Sequence, residues 1–214
     1  MHAVLAPDDL TTAASVPHDC VVVVDETTSL SGHALARATA VLEQQPSVGT
    51  VFVDTTGLGR DGIQPGHRWL RLAAAHGTDA MGARCAVMRR ATFEAAGQHG
   101  LGTRRGELSL WLRAAALADM AHVPEPLPIV PTGAAGQAGH VTELHERAHA
   151  FRELFSGFAP LRRERRLRSA VCHALASSAR RRAWVAAYEG DSVEASLCMH
   201  LARDLNRWRR QRLP

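Results

Sequence analysis

The chain has 214 residues, 46% of them hydrophobic, with a formal charge of +4 at pH 7; its length suits one medium domain with an appendage rather than two full domains. No stretch approaches the roughly 18 unbroken apolar residues of a membrane helix, and Met1 is followed by neither a basic nor an apolar leader, so a cytoplasmic protein is expected. Cys20, Cys85, Cys172 and Cys198 stand singly, without the paired spacing of a zinc site, and are expected as reduced core residues.

Along the chain, apolar runs bounded by turn formers alternate with helical patterns through residue 130. That alternation predicts an α/β fold with a mainly parallel central sheet and flanking helices. A short strand is expected at 2–6, and a second at 20–25, where four consecutive valines without polar alternation predict burial on both faces at the sheet centre. A helix over 31–45 is stopped by Pro46 and followed by a strand at 48–54. Next come a helix at 66–75, a strand at 83–89, a short helix at 91–96 ended by Gly97, a helix at 108–117 and a strand at 120–123.

The Gly-, Ala- and Pro-rich stretch 131–140 reads as a loop and a seam, giving an α/β domain over 1–140 and a helical, arginine-rich region over 141–214. In that region Leu144, Phe151, Leu154, Phe155 and Phe158 form one apolar stripe. Further helices are expected at about 161–180 and 182–207, with a break near Gly190-Asp191, where Asp191 or Ser192 caps a new helix. His145 and His149 form a pair at one helical turn, expected to face water.

All 25 basic residues are arginine, and clusters of them stand at 162–168, 180–182 and 207–212. These arginines are interleaved with core-forming Leu and Ala, no aromatic platform accompanies them, and Trp184 and Trp208 sit at positions that suit helix packing. A nucleic acid is therefore not the expected partner. Peripheral contact with an anionic membrane suits arginine-rich amphipathic helices.

Four segments carry a resemblance. The first is Val21-Val22-Val23-Val24-Asp25-Glu26-Thr27-Thr28-Ser29-Leu30, and the second is Pro46-Ser47-Val48-Gly49-Thr50-Val51-Phe52-Val53-Asp54. The third is Ala83-Arg84-Cys85-Ala86-Val87-Met88-Arg89-Arg90-Ala91-Thr92-Phe93-Glu94-Ala95-Ala96-Gly97. The fourth is Gly106-Glu107-Leu108-Ser109-Leu110-Trp111-Leu112-Arg113, followed by Val123-Pro124-Glu125-Pro126-Leu127. In this order and spacing they resemble the family 2 glycosyltransferases, nucleotide-sugar transferases with a GT-A-like fold, over roughly residues 18–155.

The resemblance implies transfer of a sugar from a nucleotide-sugar donor to an acceptor hydroxyl, by an inverting, metal-dependent route. It assigns Asp25, with Glu26 and His140, to a divalent cation, manganese or magnesium, that bridges the diphosphate. Thr27 stands where the family has a second aspartate, which implies weak or absent cation binding. Glu107 matches the family's general base at a helix start, and Arg89 and Arg90 are candidates for phosphate contact. Only the run 2–6 and the segment 7–15 stand where the family has two strand-helix units for nucleobase and ribose, so the nucleotide-binding half is expected to be incomplete. The alternative is a catalytically inactive scaffold or partner-binding subunit, pairing with a protein partner or a second copy through a sheet edge.

Overall fold

Valine's branched Cβ favours extended backbone, and the four-valine run forms an inner strand. The computed structural model describes residues 3–5, 19–24, 30–54, 62–76, 85–97, 104–124 and 140–211. Two compact units divide the chain: Met1–Trp69 with Thr78–Gly133, and Leu70–Gly77 with Ala134–Pro214. The break after Gly133 falls in the stretch expected as the seam, whereas Leu70–Gly77, expected in the sheet domain, belongs to the second unit.

The first unit contains Ala3–Leu5 (β1), Cys20–Val24 (β2), Val48–Asp54 (β3), Gly62–Gln64 (β4), Cys85–Arg89 (β5) and Asp119–Pro124 (β6). Its helices are Gly32–Gln44 (α1), the start of Gly66–His76 (α2), Arg90–Ala96 (α3) and Arg104–Leu117 (α4). The strand order is β1-β2-β5-β3-β6-β4. β1 pairs with β2 and β3 with β6 in parallel, but β2 with β5, β3 with β5 and β4 with β6 are antiparallel. The sheet is mixed, which corrects the expectation of a mainly parallel one.

The physical reason is β4, a strand too short for alternation to register. It runs back down the sheet after β3, making the return leg that a crossover helix would otherwise make. α2 consequently starts beside Ala118 and Asp119, where β6 begins, and climbs, with Trp69 reaching Phe52 partway along β3. β5 then descends. A second correction concerns β2: it lies between β1 and β5 rather than at the centre, although Val21, Val22 and Val23 are buried as expected.

Each face of the sheet has its own cover. Val22, Val51, Val87 and Val123 pack with Ala34, Ala38 and Leu42 of α1 on one side. On the other, the Phe52 ring stacks on Trp69 at 5.7 Å between centroids and meets the edge of Trp111 at 5.3 Å. β3 serves both faces through a bulge. Its pairing with β6 skips Gly49, so Val48 and Val51 share the α1 side despite odd spacing. A Cβ at Gly49 would run into the side chains of Ala118 and Thr92, so this crossing admits only glycine.

Helix ends follow local chemistry. Ser31 caps α1, its hydroxyl accepting from the Ala34 N–H at 3.0 Å. Gly97, at φ 81°, ends α3 in a conformation that a side chain disfavours.

The second unit contains the end of α2, His140–Gly157 (α5), a single 3-10 turn at Ala159–Leu161, Arg165–Tyr188 (α6) and Ser192–Arg210 (α7). Leu144, Phe151, Leu154 and Phe155 of α5 are buried, as their spacing predicts. α6 runs unbroken through Arg180, Arg181 and Arg182, so the helix expected to end at 180 extends to 188. The break comes at the Gly190-Asp191 turn, and the Asp191 carboxylate accepts from the Glu194 N–H at 2.8 Å. Trp208 is buried, edge-on to Phe155 at 6.1 Å, with the Arg152 guanidinium 5.8 Å above its ring. Trp184 does not pack. It is 80% exposed, because it lies about a third of a turn off the buried Ala179–Ala183–Ala186 line of α6.

Candidate functional site

Strand direction sorts the residues singled out from the sequence. β2, β3 and β6 all end at one edge of the first unit's sheet, called here the upper edge, where β5 begins. α4 runs opposite to β3: Ala118, just past its end, abuts Gly49 near the start of β3, while Trp111 lies on Phe52 further along. Glu107, one helical turn before Trp111 and on the same side of the helix, therefore lies toward the upper edge. It is half-buried in the first turn of α4, at the positive end of the helix dipole.

Arg89 is carried the other way. It pairs with Cys20 at the lower edge because β5 is antiparallel to its neighbours. Its Nε donates to the Val48 carbonyl at 2.8 Å, and its Nη2 donates to the carbonyls of Leu42 and Gln45, closing the C-terminal end of α1. The Arg90 N–H donates to the Asp19 carbonyl at 2.9 Å, and its guanidinium lies 3.8 Å from Glu94. The five residues of β5 span roughly 16 Å, so neither arginine shares an edge with Glu107. That placement takes the pair away from the ends of β2, β3 and β6.

Asp25 and Glu26 lie outside the described residues, as does Thr27. Of His140, only the backbone at the first position of α5 is described, and that residue belongs to the second unit. Among the described residues no group of three or more His, Cys, Asp or Glu side chains converges as a metal site.

Two residues that the sequence did not single out do reach the upper edge. His122 pairs across from Phe52, its ring 5.6 Å away on the face that α4 covers, two residues before the end of β6. Arg37 of α1 donates from Nη1 to the Pro124 carbonyl, the last residue of β6, at 3.1 Å. Period-2 alternation marks His122 only as a strand residue, and nothing in the helical pattern of α1 distinguishes Arg37 from any other solvent-side cation.

In the second unit an open cleft of about 370 Å³ is lined by His76, Leu144, Arg147, Ser178, Arg181 and Val185, among others. Its inner cation is already matched, since the buried Arg147 pairs with Glu143. Arg182 beside it is held by Glu194 at 2.5 and 2.9 Å, with Glu189 at 3.5 Å, and this pairing holds the guanidinium further up in its charged form. Arg181, bonded to the Ser178 hydroxyl at 3.2 Å, is the lining arginine that no carboxylate matches among the described residues.

The four cysteines are free thiols, three of them buried. Burial raises Cys20 and Cys198 and pushes Cys172 up to about 11, against the opposing pull of Arg168, Arg152 and Arg209. A raised thiol is neutral at physiological pH and a poor nucleophile. The folded state prefers the neutral form of Cys172. Its contribution to stability is therefore fully present below the ordinary value of 9.0 and is lost as the pH rises through about 11. Cys172→Ala is expected to flatten that alkaline decline in a series of urea melts, and an unchanged decline would refute the assignment.

No family model matches the chain, and neither a curated protein nor a solved structure matches it. Among the described residues no helix is long and apolar enough to cross a membrane.

Proposed function

We propose that the chain is a family 2 glycosyltransferase-like protein, moving a sugar from a nucleotide-sugar donor to an acceptor hydroxyl with inversion. What supports the reading is one convergence: three of the strands carrying its family-like segments, β2, β3 and β6, end at the edge toward which the Glu107 turn of α4 is directed. In this reading Glu107 takes the acceptor proton as the acceptor oxygen bonds to the sugar carbon, and the bond from that carbon to the diphosphate oxygen breaks. The donor set proposed for a divalent cation, Asp25 with Glu26, has the hard oxygen chemistry that manganese or magnesium accepts. Such a cation supplies neutralisation of the leaving diphosphate. Threonine at 27 leaves the set one carboxylate short, so affinity is low.

Nucleotide sugar with manganese is expected to raise the melting temperature of the full chain and to yield nucleoside diphosphate. Glu107→Gln is expected to keep the thermal shift while slowing release about a hundredfold or more. Failure of every common nucleotide sugar to shift the melt would end the proposal.

A second reading, a binding subunit without turnover, is favoured by the structural engagement of Arg89, which leaves that guanidinium with three main-chain carbonyls. It predicts a thermal shift without release in the unaltered chain. Partner binding at a sheet edge is not its best form, since both edge strands, β1 and β4, are three residues long and offer little template for pairing.

A further inference from the structure

α6 and α7 form a helical hairpin whose turn is Glu189, Gly190 and Asp191. Every exposed large hydrophobic residue described in the second unit lies around that turn, between 184 and 199: Trp184, Val185 and Tyr188 on α6, and Val193, Leu197 and Met199 on α7. Tyr188 is 92% exposed and Val193 69%. A helix end with nothing to bury is expected to show Ala, Glu, Arg or Gln at such positions; here it shows an apolar cap.

Arginines stand one turn back from this cap. Trp184 and Tyr188 lie on a strip of α6 shared with Ser177 and Arg181, about half a turn from the buried Ala183 and Ala186. Arg180 flanks the strip, and Arg203 follows Met199 by one turn on α7. α6 holds six arginines and no acidic residue. The acids near the turn are already matched: Glu194 and Glu189 by Arg182, and Asp191 by the N-terminus of α7. Among the described residues Arg180, Arg181 and Arg203 make no ion pair; Arg180 donates to the Ser177 hydroxyl at 3.0 Å and Arg181 to that of Ser178 at 3.2 Å.

We propose that the tip of the α6–α7 hairpin docks end-on into the interface of an anionic phospholipid bilayer. Tyr188 and Val193, beside the turn, enter first; Trp184 and Leu197, about 9–11 Å back along their helices, lie at headgroup level, and Arg180, Arg181 and Arg203, further back, lie on lipid phosphates. Layering of this kind, with apolar and aromatic residues flanking the Glu189-Gly190-Asp191 turn and guanidinium groups behind them, matches the depth profile of an interface. With Glu189 and Glu194 held by Arg182 and Asp191 by the N-terminus of α7, the charge left over is that of the arginines, which selects an anionic surface. Aliphatic Val193, Leu197 and Met199 argue for lipid over nucleic acid, which uses aromatic faces and cations but gains nothing from exposed branched side chains. The proposal is independent of turnover and of the ends of β2, β3 and β6.

The test is co-sedimentation of the full chain with vesicles of phosphatidylcholine alone or mixed with phosphatidylglycerol, with tryptophan emission read in parallel. Binding to the mixed vesicles is expected to be roughly tenfold stronger than to phosphatidylcholine and to weaken in high salt, with a blue shift of emission. Trp184→Ala with Tyr188→Ser should abolish the blue shift and reduce partition about tenfold. Both side chains are exposed, so the melting curve of the double variant should not move. Arg180→Ser with Arg181→Ser, the first half-buried and the second exposed, each bonded among the described residues only to a serine hydroxyl of α6, should erase most of the phosphatidylglycerol preference. Any of three results overturns the proposal: no sedimentation with either vesicle, a preference for single-stranded oligonucleotide over anionic lipid at equal salt, or a lipid-free dimer in light scattering that already protects Trp184 from quenching.

Discussion

Gly66→Ala is expected to lower stability by about 3 kcal/mol, the upper end of what an inserted methyl group costs in a packed interior. The position is buried at the first residue of α2, and a Cβ there would overlap the main-chain carbonyl oxygens of Ala115 and Ala118. A side chain can rotate away; these carbonyls cannot, since Ala115 is inside α4 and Ala118 joins it directly to β6. Retreat of α2 would also strain the 3.3 Å hydrogen bond in which the Gly66 N–H donates to Asp119. Chemical denaturation read by far-UV dichroism measures the loss, and Ala118→Gly supplies the control. That second change removes only a Cβ, so it should fail to rescue Gly66→Ala. Rescue, or a loss below about 1 kcal/mol, would mean that α2 and α4 do not approach as described.

Phe52→Ala should cost about 4 kcal/mol, within the range for deleting a fully buried aromatic ring. Phe52 is completely buried and touches three rings, stacked on Trp69, edge-on to Trp111 and 5.6 Å from His122. Removing it opens a cavity between a strand and two helices, none of which can collapse without moving the others. Urea unfolding provides the energy, and native-state tryptophan emission provides an independent readout because two of the four tryptophans line the cavity. Phe52→Leu should recover more than half of the lost stability by refilling much of the volume. Near-wild-type stability of Phe52→Ala would remove the support that holds α4, and with it Glu107, over the upper edge.

How much of this was legible in advance differs by element. α1 could be read nearly to its ends, because a serine cap, alanines and leucines at helical spacing and a proline stop all speak locally. β2 was legible as an inner strand for the same reason: four branched side chains in succession have no polar face to show. β4 was not, since three residues contain less than two periods of alternation, and missing it inverted the expected direction of β5. Arg89 was misread as a consequence. A doubled arginine after a strand looks like a phosphate contact, but once that strand runs downward its guanidinium meets the end of α1 instead. Trp184 failed differently. Its helix was foreseen, but whether a tryptophan on that helix is covered depends on which neighbours reach it.

By itself the sequence determined which segments are helix and strand, β4 apart, where α1 and α3 stop, and that the cysteines are buried or half-buried thiols. These are matters of local torsion, capping and hydrophobic period, which neighbouring residues settle among themselves. The tertiary structure alone decided strand order and direction, the separation of Arg89 from Glu107, the arrival of His122 and Arg37 at the upper edge, and the exposure of Trp184. Each depends on contacts between residues far apart in the chain, whose energies come from burial and close packing and leave no mark on the periodicity of either partner.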